Sequence, residues 1–213
     1  MEQATLTHPA GVSRAEYLSL ARRAKWLSWA SLGYMSIEGA VAIGAGIAAS
    51  SVALIGFGID SGIEGFASLV IVWRFTGART LSHGAERRAQ QLVAMLFFLL
   101  APYVAFEAIQ ALVTGEHADA SWVGIGLSIT SLAFMPYLGV AKRRIGERMG
   151  SPATKGEGAQ NLLCAYLSAA LLVGLLGNAV LGLWWLDPAA ALVIAGVALR
   201  EGMDTWRGDS CCT

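Results

Sequence analysis

Residues 57–70 read FGIDSGIEGFASLV, and the fold turns on how they are read. The stretch sits inside a long apolar run suited to lipid, yet it carries two acids, Asp60 and Glu64, with no base near them in the sequence. Of the 213 residues, 55% are hydrophobic and only 14% charged, which is too apolar for a water-soluble domain of this length and fits a membrane protein. The formal net charge of zero carries no information, because in a membrane protein the position of each charge along the chain matters more than the sum. No nucleic-acid partner is expected.

A hydrocarbon core about 30 Å thick takes roughly 20 apolar residues per helix. Six segments meet that length, near 26–50, 52–73, 91–114, 121–141, 159–182 and 186–203. The expected fold is therefore an all-α polytopic membrane protein with six transmembrane helices. All fifteen Lys and Arg fall before residue 26, in the second-to-third connection, in the fourth-to-fifth connection, or at the C-terminal end. With six spans these places share one side, so both termini are expected in the cytoplasm, in a plasma membrane or its bacterial inner-membrane equivalent. The expected organisation is a cytoplasmic amphipathic leader over 1–25, a transport domain over 26–203 and a short tail over 204–213. The leader, with SRAEYLSLARRAKW, is expected to lie at the membrane surface, and the first segment is not read as a cleaved signal peptide, because the 25 residues before it are polar and it is too long for an h-region. Small residues four apart, Ala40-Gly44-Ala48, Ala42-Gly46-Ser50 and Gly58-Gly62, are read as close helix-packing faces.

Glu38 falls in the middle of the first segment, Asp60 and Glu64 in the second, and Glu107 toward the outer end of the third. No segment holds a Lys or Arg away from its ends, so internal ion pairing is not expected. An acid at the bilayer centre costs about 2.5 to 3.5 kcal/mol on insertion scales, and such residues mark ion or proton paths. Asp60 and Glu64 are four apart, so on a helix they project about 40° from each other with a rise of about 6 Å. Two like charges that close call for a bound proton or for a cation between them.

The fifth segment opens GAQNLLCAYLSAALL and puts Gln160 and Cys164 at the same four-residue spacing. Carboxylate oxygens beside a thiolate suit Zn²⁺ or Cd²⁺, and the sulfur argues against Mg²⁺ or Ca²⁺. A buried Cys is more often a small hydrophobe, so the pair alone is weak. The vicinal Cys211 and Cys212 of the tail GDSCCT, and Glu116 and His117 of the outer loop, are read as incidental. Three cysteines give no disulfide framework.

At these residues the sequence resembles the cation diffusion facilitator family, proton-coupled exporters of zinc, cadmium, iron and manganese. The run GAGIAASSVALIGFGIDSGIEGFASLVIVWRF is similar to that family's first-to-second helix passage, with its acid-xxx-acid pair. WWLDPAAALVIAGVALREG is similar to its sixth helix with an Asp-Pro entry. The resemblance implies that Asp60, Glu64, Gln160 and Cys164 surround the transported ion. Gln160 stands where the family has His or Asp, and Cys164 where it has Asp. An amide oxygen is a poor zinc ligand, so a set of Glu38, Asp60, Glu64 and Cys164, with Gln160 behind it, is also expected. The family's cytoplasmic metal-sensing domain is not expected after the sixth helix, and its His-rich fourth-to-fifth loop has no counterpart in RRIGERMGSPATKGEG, which has no histidine.

The function expected is a divalent cation transporter that exchanges Zn²⁺ or Cd²⁺ for protons by alternating access. It would have no prosthetic group and would work in the bilayer as a homodimer. The alternative is a proton- or cation-conducting channel that uses the same acids. An enzyme is not expected. GFGID approaches the Gly-x-Gly-Asp pattern of intramembrane aspartyl proteases, but an extra residue separates Gly58 from Asp60 and no second mid-membrane aspartate follows.

Overall fold

A computed structural model describes residues 12–49, 52–115, 122–181 and 185–208. Six α-helices follow one another: α1 (Arg14–Ala49), α2 (Val52–Arg74), α3 (His83–Thr114), α4 (Trp122–Met149), α5 (Pro152–Leu181) and α6 (Leu186–Arg207). A short 3₁₀ turn over Gly77–Leu81 precedes α3, and the described residues include no strand. Among the described residues four stretches are long and apolar enough to cross a membrane: Arg14–Ala48, Ile55–Arg74, His83–Thr114 and Trp122–Met149. Helices are the expected solution in lipid because every internal backbone N–H and C=O finds its partner within the segment. Pro102 and Pro136 lie inside α3 and α4, as lipid-embedded helices allow.

Several helices run past the apolar windows that announce them. The leader residues from Arg14 onward are continuous with α1. Their apolar stripe, Tyr17, Leu20, Ala21 and Ala24, is buried in the main core cluster with Ile71, Phe75, Ala89 and Met149. The fourth-to-fifth connection is also shorter than hydropathy suggests, because α4 continues to Met149 and α5 starts at Pro152.

α1 packs mainly on α2, α4 on α5, and α3 on α6, with α5 also touching α2, α3 and α6. One end of the bundle collects the start of α1, the end of α2, the start of α3, the end of α4, the start of α5 and the end of α6. Arg74 donates to Glu86 at 2.8 Å and to the Tyr17 hydroxyl at 3.1 Å. Glu86 in turn accepts from Ser151 Oγ at 2.8 Å and from the Ala153 N–H at 3.2 Å, a carboxylate at the N-terminus of α5. Gln90 Nε2 donates to the final carbonyls of α6, Thr205 at 2.7 Å and Trp206 at 3.1 Å. The start of α1 and the end of α6 thus lie at the same, basic, end. Large apolar side chains such as Ile37, Ile47, Phe66, Phe106 and Val193 face outward along the helices, as a lipid-facing surface requires.

Close backbone approach occurs at two places, and only one of the spaced small-residue faces takes part. A Cβ on Gly58 would stand 3.0 Å from the Gly39 carbonyl, so α1 and α2 meet there. A Cβ on Gly158 would stand 2.7 Å from the Arg143 nitrogen and 2.8 Å from the Gly139 carbonyl, so α4 and α5 meet there. Gly44 and Gly62 have nothing within 4 Å of such a Cβ, and Ala40 and Gly44 face outward while Ala42 and Gly46 face the interior. Ser50 lies outside the described residues. Overpacking a well-packed contact costs about 1–3 kcal/mol. Gly158→Ala is therefore expected to lower the thermal midpoint in detergent, and Gly44→Ala to leave it unchanged or raised.

Candidate cation site

The acids of α2 point into the bundle. Asp60 is 7% exposed and Glu64 1% exposed, on a helix whose Ile59, Phe66 and Leu69 face outward. The helical period thus turns the i, i+4 acid pair inward and the apolar residues toward lipid. Asp60 Oδ1, both Glu64 oxygens and both amide atoms of Gln160 are buried without a hydrogen-bond partner. Ser68 Oγ on α2 and Ser168 Oγ on α5 are in the same condition. Among the described residues the only other such atom is Ser128 Oγ, so these unpartnered polar groups concentrate on α2 and α5. They follow the four-residue repeat of 60, 64 and 68 on α2 and of 160 and 168 on α5, with Cys164 at the intervening position of that repeat. Buried polar groups in native proteins nearly always have partners, so such a concentration needs an explanation.

Cys164 is buried in α5 at 1% exposure. Its thiol lies 3.6 Å from Ser131 Oγ of α4 and close enough to Glu64 to interact with that carboxylate, although no well-formed hydrogen bond joins the two.

Glu38 differs from the other acids. Its Oε1 accepts from Tyr34 at 2.9 Å and from Ser131 at 2.7 Å, and its Oε2 accepts from Ser61 at 3.0 Å. Both oxygens are therefore occupied by hydroxyls from α1, α2 and α4. Through Ser131 this network reaches Cys164. Glu107 accepts from Tyr103 at 2.7 Å, and its carboxylate fills the space beside Gly56, where a Cβ would come within 2.3 Å of Oε1.

The expectation that no base enters a span is wrong for Lys142. Its side chain is fully buried in α4, and Nζ donates to Glu157 Oε1 at 2.6 Å, Ser31 Oγ at 2.6 Å and Asn161 Oδ1 at 2.9 Å. Ser28 completes the cluster by donating to Glu157 Oε2 at 2.8 Å. The physical reason is the length of α4: hydropathy ends the segment at 141, but the helix continues and turns Lys142 inward among hydroxyl, amide and carboxylate partners. Such partners make a buried ammonium tolerable.

The structure thus brings Asp60, Glu64, Gln160 and Cys164 to the interior of one bundle and gives Glu38 a separate, satisfied place beside them. It does not draw them into a finished coordination sphere: among the described residues no three His, Cys, Asp or Glu side chains converge as metal ligands would. The donor set still fits a cation. Carboxylate and amide oxygens are left without donors, and the thiol would add sulfur. Sequence reasoning passed over Ser61, Ser68, Ser131 and Ser168, since serine in a membrane helix usually bonds its own backbone. For Ser68 the four-residue register with Asp60 and Glu64, and for Ser168 the same register with Gln160 and Cys164, was the available signal; Ser61 and Ser131 offered none. Glu116, His117, Cys211 and Cys212 lie outside the described residues.

Comparison with known proteins identifies the family of the bundle as a whole. The family description "Cation efflux transmembrane domain" matches residues 27–207, nearly the whole bundle. Transmembrane protein 163 of Xenopus laevis is 22% identical over 185 residues, covering 85% of this chain and 66% of its own length. An uncharacterized transporter of Synechocystis is 24% identical over 190 residues, covering 85% of this chain and 61% of its own. The chain therefore spans less than two thirds of the length of these relatives.

Proposed function

This chain belongs to the cation efflux, or cation diffusion facilitator, family of integral membrane proteins, and from that premise we propose that it carries a divalent transition-metal cation, Zn²⁺ or Cd²⁺, across the bilayer in exchange for protons. The observation that carries the reading is the set of unpartnered polar atoms on α2 and α5. Asp60 and Glu64 supply two carboxylates, Gln160 an amide oxygen and Cys164 a thiolate. Glu38 helps by holding Ser131, which fixes the Cys164 thiol. The reading places six spans with the basic end of the bundle in the cytoplasm, supported by the distribution of bases and by the start of α1 and the end of α6 lying at one end. α5 and α6 are 30 and 22 residues long, enough to rise about 45 and about 33 Å.

The mechanism follows from charge. A divalent ion arriving between the acids replaces the protons that neutralise them, so affinity falls as pH drops, because each ligand must be deprotonated to bind. Rocking of α2 and α5 then opens the site to one face and later to the other, with binding near the midplane. A channel using the same acids would show flux that does not saturate with metal.

Cys164→Ser tests the sulfur. Thiolate favours soft ions and a hydroxyl does not. The variant is expected to keep transport of a harder ion such as Mn²⁺ while losing about tenfold or more in apparent affinity for Cd²⁺, comparable to other losses around a metal site. Competition assays in proteoliposomes measure this. An unchanged Cd²⁺ to Mn²⁺ preference would remove Cys164 from the site.

A further inference from the structure

The buried pair Lys142–Glu157 is not part of the acid site, and the metal chemistry gives it no task. Its position is informative. On α5, Glu157 lies one turn before Gln160 and two turns before Cys164, on the side of the basic end where that helix begins. On α1, Ser28 and Ser31 precede Glu38 in the same sense. On α2, Ser68 leads from Glu64 toward that end. Lys142 and Glu64 are close enough to interact electrostatically. A cation leaving the acid site for the basic end, or arriving from it, would meet this cluster.

The cluster ties three helices together. Ser28 and Ser31 come from α1, Lys142 from α4, and Glu157 and Asn161 from α5. The Lys142 and Glu157 side chains are 0% and 1% exposed. Beside them α4 and α5 are in backbone contact at Gly139 and Gly158, which leaves no room for an ion. A carboxylate, an amide oxygen and a hydroxyl would themselves attract a cation, and the tethered ammonium occupies them instead.

We propose that Lys142 and Glu157 form an ion-pair latch that closes the path between the acid site and the basic end of the bundle, and that the latch must part before a cation passes. Lys142 is then a positioning residue, holding α1, α4 and α5 in the closed arrangement, and not a metal ligand. A helix packing that opens on this side separates Glu157 from Lys142 and exposes the face of α5 that carries Gln160 and Cys164. The inference rests on the cation-transport reading.

Cys164 is the natural reporter, since it is buried at 1% exposure behind the latch. In a background with Cys211 and Cys212 replaced by serine it is the sole thiol of the three in the chain. The protein is reconstituted in vesicles, and a membrane-impermeant methanethiosulfonate reagent is added to the face carrying the basic end, without metal. Lys142→Gln combined with Glu157→Gln removes both charges and strands neither. It is expected to speed Cys164 modification about tenfold or more, as loss of a charge-assisted contact allows. Ser31→Ala removes one partner of the ammonium and strands no charge, so it keeps the test open if the double variant fails to fold; a smaller acceleration of a few-fold is expected. Both variants are checked for monodispersity and for retained Zn²⁺ binding. Modification as slow as in the native protein, in folded vesicles of either variant, would overturn the latch. The accessibility readout uses no metal, so absence of Zn²⁺ transport by the native protein would sink the transport reading on its own, and loss of the latch would leave that reading standing.

Discussion

Asp60→Ala is expected to abolish metal transport and at the same time to raise the stability of the metal-free protein. The two effects have one origin. Asp60 is buried at 7% exposure with Oδ1 unpartnered, and an acid at the bilayer centre costs about 2.5 to 3.5 kcal/mol on insertion scales. Removing it relieves part of that cost and breaks no hydrogen bond to Oδ1. Losing a carboxylate ligand should weaken metal binding by about 100-fold or more, since even outer partners of ligands are worth 10–100-fold. Thermal unfolding in detergent, with and without Zn²⁺, reads both effects in one experiment. The native protein should gain in midpoint when Zn²⁺ is added and the variant should not. A variant that unfolds at a lower temperature in the absence of metal would show that Asp60 serves packing.

Lys142→Met is expected to be the most destabilising single change in the bundle. It leaves Glu157 buried without its counter-charge, and breaking a buried pair from one side costs about 3 to 5 kcal/mol. Adding Glu157→Gln should recover most of that loss, because the amide oxygen still accepts from Ser28 and no charge is stranded. A chemical-denaturation cycle of the native protein, both single variants and the double variant measures the coupling. Equal losses that simply add would mean that Lys142 and Glu157 do not act as a pair.

Asp60 and Lys142 also mark how far the sequence could be read. The acids of α2 were legible because two carboxylates four apart in an apolar run have few physical explanations, and the helical period fixes their shared face. Gln160 and Cys164 share the same spacing, but only the family resemblance implied their place in the site. The partners of Glu38 were not legible: Ser61 and Ser131 lie 23 and 93 residues away, and no local pattern connects them. An unpartnered acid and a satisfied one therefore looked alike. Lys142 was misplaced because hydropathy treats a lysine as the end of a span, whereas its real environment depends on Ser31, 111 residues earlier, and Glu157, 15 residues later. The small-residue repeats show the same limit. Spacing finds a face where helices can meet, but Gly39 and Gly158 do so and Gly44 does not, which only the packed partner decides.

The most direct measurement of the central claim, that the unpartnered groups of α2 and α5 hold the transported cation, is equilibrium Cd²⁺ binding to the purified protein with Cys211 and Cys212 replaced by serine. Binding is followed by the ultraviolet charge-transfer absorption of a cadmium–thiolate bond. The account predicts saturable binding of one ion per chain with thiolate absorption, loss of the absorption but not of all binding in Cys164→Ser, and loss of binding in Asp60→Ala. Binding that leaves the thiolate band silent, or that persists undiminished in Asp60→Ala, would contradict it.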